Sequence, residues 1–184
     1  MRTFAIFAAS LACIAAPAMS QQTVGTAAAP TPSAAVEQMR HVVGSWDVTT
    51  KFIRPDGSVA GAFDGTYTFE WVMPDKVVKG MSAIPEFGMA SGILFYVRES
   101  TGEVEMVSVG PDGQLWVMTG PVDSETRETP VVDMPDGTTL KLRFTRYNVT
   151  ADGFESRMDR STDGGATWVQ GNHQVFTRRT AAEG

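Results

Sequence analysis

Two arginines fall in step with apolar residues along a two-residue alternation: Arg146 with Leu140, Leu142 and Phe144, and Arg160 with Phe154 and Met158. If the apolar members face a common interior, both guanidiniums face it too, near an end, where they can hold a ligand carboxylate. Strand ends or bulges that turn them to solvent would remove that chemistry. Other reactive groups are sparse. His41 and His173 are the only two histidines, far apart, and the one cysteine is Cys13. A zinc site needs three or four well-placed ligands, which this inventory does not supply. Asp64, Glu70 and Glu86 are the carboxylates that an apolar interior could turn into general acids or bases by desolvation. No spacing selects one of them, and Glu70 shares its face with Thr66 and Thr68, opposite the aromatic set. Gly-x-Ser-x-Gly, a phosphate-binding glycine loop and His-Glu-x-x-His are all absent. The residue types favour binding over reaction.

The elements that must position these residues are mostly strands. Tyr67, Phe69, Trp71 and Met73 alternate with polar neighbours, as do Leu140, Leu142 and Phe144, then Phe154 and Met158. Asp-Gly pairs at Asp56, Asp112, Asp136, Asp152 and Asp163 mark hairpin turns, because the dipeptide suits positive φ. The pattern predicts about ten strands: 45–54, 58–64, 66–73, 76–84, 91–99, 103–109, 114–120, 124–132, 138–149 and 154–161. Residues 166–178 form one more, or the true tenth. Short connections make successive strands antiparallel, and a meander of this length closes most economically into an up-and-down barrel. One helix precedes them. Ser33 caps it, Val36, Met39, Arg40 and Val43 share a side, and Gly44 stops it. The segment 84–92, with Pro85 and two glycines, cannot be a central strand. It reads as a hairpin loop tucked on the rim or as a lid carrying Phe87 and Met89 over a cavity mouth.

The chain has 184 residues. Residues 1–20 have the form of a secretory signal: Arg2, an apolar run from Phe4 to Ala16, and Ala18-Met19-Ser20. Removing them leaves 184 − 20 = 164 residues, a charge of 14 − 21 = −7 and no cysteine. Disulfide scaffolds and cysteine nucleophiles are thereby excluded. The acidic balance argues against nucleic acid, and no later apolar run is long enough to span a bilayer as a helix. Residues 21–32, rich in Ala, Thr, Gln and Pro, read as a flexible leader, and 33–180 as a single barrel domain.

A short amphipathic helix running into Gly44-Ser45-Trp46, then antiparallel hairpins, resembles the start of lipocalin-type barrels. The resemblance implies that Trp46 packs across the closed end as a structural residue. The stretch from about Val36 to Arg178 also resembles small secreted bacterial lipocalin-like (calycin-type) barrels of unassigned function. Val42-Val43-Gly44-Ser45-Trp46, Phe69-Glu70-Trp71-Val72-Met73 and Gly171-Asn172-His173-Gln174-Val175-Phe176 carry that likeness. Ser161 to Trp168 matches the Asp-box pattern, a hairpin turn in which Asp163 accepts backbone N–H bonds and Trp168 folds over the loop. Similarity to the nitrobindin branch would imply haem held by His173. However, Val48 and Thr50 stand where that branch has glycines.

The combined expectation is an all-β antiparallel barrel, secreted to the periplasm by its signal, binding a small apolar or amphipathic ligand in its lumen without a cofactor. Tyr67, Phe69, Trp71, Phe144 and Met158 would line the lumen, with Arg146 and Arg160 on the ligand's polar end. A barrel of ten strands is wider than the eight-stranded kind that side chains just fill. Eight methionines outside the signal suit an adaptable pocket. The alternative is a filled barrel acting through its outer surface on a partner or the envelope. A haem or catalytic barrel is a third reading.

Overall fold

The computed structural model describes residues 33–98 and 100–180. The signal expected at 1–20 and the leader expected at 21–32 lie outside the described residues. Helix α1 runs Ala34–Val42, with the Ser33 hydroxyl accepting from the Val36 N–H at 3.4 Å. Its buried face is Ala35, Gln38, Met39 and Val42, which corrects the face expected from Val36, Met39, Arg40 and Val43. The buried polar Gln38 hid the true stripe. Arg40 is exposed and pairs with Asp75 and Glu37.

Among the described residues eleven strands follow: β1 Gly44–Ile53, β2 Val59–Met73, β3 Val77–Ile84, β4 Met89–Arg98, β5 Glu103–Val109, β6 Leu115–Pro121, β7 Thr126–Glu128, β8 Val132–Asp133, β9 Thr139–Thr150, β10 Gly153–Ser161 and β11 Val169–Arg178. Every pairing is antiparallel. The order β10-β11-β1-β2-β3-β4-β5-β6-β7-β9 returns to β10, so ten strands close an up-and-down barrel, and β8 is appended to β9. Four of the five Asp-Gly pairs place their glycine at positive φ, as hairpin turns need.

Three boundaries differ from expectation. The strands expected at 58–64 and 66–73 are one, β2, paired to β1 from Gly44↔Phe69 to Ile53↔Val59. Gly65 reads as a break, but it marks a close approach: a Cβ there would lie 2.4 Å from the Ala83 carbonyl oxygen. The strand expected at 124–132 stops after three residues, because Pro130 has no N–H to donate to a ladder. In the segment 84–92, a single 3-10 turn at Pro85–Phe87 suffices, and Met89 already pairs with Ile84. The Phe87 ring lies 4.3 Å from Phe63 and 5.9 Å from Phe52. This puts it at the end of β1 farthest from α1.

The α1 end is plugged. Trp46 is fully buried, edge-on to Phe154 at 5.0 Å, with Phe176 stacked on Phe154 at 4.1 Å. Its indole N–H donates to the Val42 carbonyl at 2.7 Å, and the Arg178 guanidinium lies 4.2 Å over the ring. Arg178 also donates to the carbonyls of His41 at 2.6 Å and Val43 at 3.1 Å. The helix's last carbonyls, which no further turn can satisfy, therefore find donors on the barrel. Val48, Val78, Phe95 and Val104 complete the buried layer. Replacing Trp46 with alanine is expected to cost about 3–5 kcal/mol, as large-to-small changes in a core do. Urea denaturation measures it, and an unchanged midpoint would contradict the packing described.

Candidate functional site

Alternation sends one face of every strand inward, and below the plug those faces enclose a cavity of about 180 Å³. Tyr67 and Phe69 from β2, Phe95 from β4, Phe144 from β9, Phe154 and Met158 from β10 and Phe176 from β11 form its aromatic and methionine wall. Polar groups interrupt the wall at set places. The Gln174 side-chain amide donates to the Thr50 hydroxyl at 3.0 Å and the Tyr67 hydroxyl at 3.1 Å. Gln38 reaches in from α1, and Arg127 from β7 and Arg146 from β9 also line the space. Larger recesses, of about 450, 770 and 310 Å³, lie on the outer wall.

The two arginines are the electrostatic centre of the site. Arg146 is 4 % exposed, donating from Nη1 to Glu125 at 3.0 Å and from Nη2 to the His41 Nδ1 at 2.6 Å. Arg127 is 1 % exposed, and its guanidinium lies 4.8 Å over the Phe95 ring. Its one guanidinium hydrogen bond among the described residues goes to the Gln38 Oε1, whose amide nitrogen in turn donates to Glu125 at 2.7 Å. Each arginine keeps a buried Nε without a partner among the described residues. Burial, opposed by the Glu125 carboxylate and aided by the Arg146 charge, pushes Arg127 down to about 10. Burial lowers Arg146 too, with Glu125 opposing.

Of the residues expected to line a lumen, Tyr67, Phe69, Phe144, Arg146 and Met158 border this cavity. Trp71 does not. It packs partly buried against the core, next to the register break between Trp71 and Met73. Arg160 is a correction as well: it is exposed, opposite Leu142 and Val169, past the register break between Met158 and Asp159. Arg146 stands opposite Ser156, four residues from Arg160 along β10, about 13 Å. The two arginines therefore do not form a clamp. Arg127 takes the inward place instead. Residue order alone hides it, because Glu125-Thr126-Arg127-Glu128 reads as a polar strand edge until Phe144 is known to be its partner.

His173 does not reach the cavity. It sits on the face of β11 opposite Gln174 and Phe176, bonded to Glu155 at 2.6 Å and stacked on Tyr147. Among the described residues no three His, Cys, Asp or Glu side chains are placed to hold a metal. Asp163 accepts from the Ser161 hydroxyl at 2.6 Å and from the Thr167 N–H at 2.9 Å and hydroxyl at 2.6 Å. These donors hold its carboxyl well below the usual carboxylate range. Trp168 folds over the outer wall, with the Arg143 guanidinium 4.1 Å above its ring. This turn is remote from the cavity.

The Arg146 contact fixes the His41 tautomer. Nδ1 accepts from the guanidinium, so Nε2 carries the proton and donates to the Thr150 carbonyl at 2.7 Å. Burial lowers the His41 pKa, the Thr150 bond opposes it, and the Arg146 and Arg178 charges add to the lowering. The unfolded chain takes up this proton near pH 6.5 and the folded chain only below that, so stability rises with pH across the interval. This contribution is fully present above about pH 6.5 and is lost as pH falls through the folded value. Urea midpoints measured between pH 7.5 and 5.5 should therefore fall more steeply for the native chain than for His41→Gln. Equal slopes would sink this account.

No protein-family model matches the sequence, and no curated protein matches it. Solved structures do match in shape. Rv2717c from M. tuberculosis is 14 % identical, with 79 % of this chain and 98 % of that one covered and a TM-score of 0.50. The S-type phycobiliprotein lyase CPES from Guillardia theta is 10 % identical, covering 79 % and 93 %, at a TM-score of 0.49. A designed fluorescence-activating β-barrel is 18 % identical, covering 77 % and 96 %, at 0.39. Together with the closed ten-stranded wall, the first of these establishes the fold: an antiparallel up-and-down β-barrel.

Proposed function

We propose that this protein is a secreted, periplasmic barrel that binds a small amphipathic ligand in its lumen. The secretion rests on the signal-like residues 1–20. The binding rests on one observation: a mostly apolar cavity of about 180 Å³ lined also by two buried arginines. Apolar walls with a few convergent polar groups are what small-molecule sites are made of. Tyr67, Phe69, Phe144 and Met158 supply the walls, and Arg146 with Arg127 the polar end.

The outer wall favours a second reading. Met81, Val109 and Leu115 lie in one register row across β3, β5 and β6, with Gly92 of β4 between, and Leu94 and Val107 fall in the next row. Met81, Leu94, Val109 and Leu115 are exposed. Such a patch marks surfaces that meet a partner or a membrane. A solvent-sensitive apolar dye separates the two readings. Lumen binding predicts one dye per chain, abolished by Ser91→Phe, which puts a ring into the cavity at a stability cost of about 1–3 kcal/mol. Dye binding that survives Ser91→Phe and disappears in Leu94→Glu would move the function to the outer wall.

A further inference from the structure

The cavity is polar at two poles and apolar between them. Beneath α1, Arg127 and Arg146 are both more than nine-tenths buried, and they share one carboxylate, Glu125, whose side chain is 42 % exposed. His41 is held in its neutral form by its two hydrogen bonds, so it adds no charge. Among the described residues no carboxylate ion-pairs with Arg127, and the Nε of each arginine has no partner. A buried cation without a counter-charge is unfavourable, and an anion entering the cavity relieves it.

The other pole is uncharged. Ser82 of β3, Ser91 of β4 and Ser108 of β5 all border the cavity, and Ser82 and Ser91 face each other in register. None of the three hydroxyls has a hydrogen bond to a described residue. Phe95, which carries Arg127 over its ring, is four residues from Ser91 on β4, so the poles are about 13 Å apart along that strand. Phe69, Phe144 and Phe176 lie on the wall between.

We infer that the lumen is shaped for a compact aromatic carboxylate bearing a hydroxyl at the far side of its ring. This rests on the lumen-binding reading and specifies its ligand. The carboxylate meets Arg127 and Arg146, the ring packs among the phenylalanines, and the hydroxyl meets the three serines. Size points the same way: a dry cavity of about 150 Å³ accommodates a single benzene ring, so a space of about 180 Å³ suits one ring and not a long alkyl chain.

Titration calorimetry with four probes tests it: 4-hydroxybenzoate, 4-hydroxybenzamide, benzoate and octanoate. The expected result is 4-hydroxybenzoate tightest, at least tenfold over its uncharged amide and severalfold over benzoate and octanoate. In Arg127→Gln the acid should fall to the affinity of the amide, and Arg127→Lys should restore part of the preference. Equal binding of acid and amide by the native chain would overturn the cationic pole while leaving a lumen that binds ligands. Equal binding of benzoate and 4-hydroxybenzoate would overturn the hydroxyl pole, and tighter octanoate would overturn the compact ring. If none of the four probes binds and the apolar dye is unaffected by Ser91→Phe, the lumen reading itself fails. The comparison among probes on the native chain decides the matter even if the arginine variants do not fold.

Discussion

The last turn of α1 leaves carbonyls that the helix itself cannot satisfy, and the barrel supplies their donors from both ends of the chain. Trp46, two residues into β1, takes Val42, while Arg178, at the end of β11, takes His41 and Val43. The guanidinium also rests on the indole, placing a positive charge where the helix dipole favours one. Because these bonds are directional, they fix the rotation of α1 about its axis. That rotation aims Gln38 at Arg127 and His41 at Arg146. The electrostatic pole of the cavity is therefore set by a helix cap on the other side of the plug.

Much of the fold is legible in the residue order because it follows from local rules. Asp-Gly pairs require turns, and Leu140, Leu142 and Phe144 require one inward face. The misreadings share a physical origin in contacts across the sheet, which no local rule reports. Gly65 looks like a break unless the Ala83 carbonyl is known to press on it. Gln38 looks like a surface residue until Arg127 and Glu125 are known to meet it. Arg160 is in step with Phe154 and Met158 in the residue order and still ends in solvent, because it lies past the register break between Met158 and Asp159. Arg146 was legible from parity, whereas Arg127, on a three-residue strand with no apolar neighbour of its own, was not.

The interior is also more polar than the aromatic pattern suggests. Thr50, Ser156 and Gln174 occupy inward positions and bond to one another or to Tyr67. Buried polar groups of this kind hold a wall in one arrangement, since any slip leaves them unsatisfied. Gln174 joins β11 to β1 and β2 through side chains alone, in addition to the backbone ladder between β11 and β1. The lumen thus has a stiff polar side there and an unsatisfied cationic side at β7 and β9.

The ladders around the wall are unequal. β6 meets β7 through one residue pair, Thr119↔Glu128, whereas β7 meets β9 through three, centred on Arg127↔Phe144. Considered as a hoop, the wall is weakest at that one joint, and a hoop parts where it is weakest. Arg127 lies on the β9 side of the joint, so it would travel with β9 and keep its place beside Phe144. The parting would separate Arg127 from Phe95 on β4, whose ring it covers. The cation that gives the cavity its charge is thus also the side chain that bridges the barrel's thinnest join, and removing it would loosen the hoop as well as neutralise the pocket.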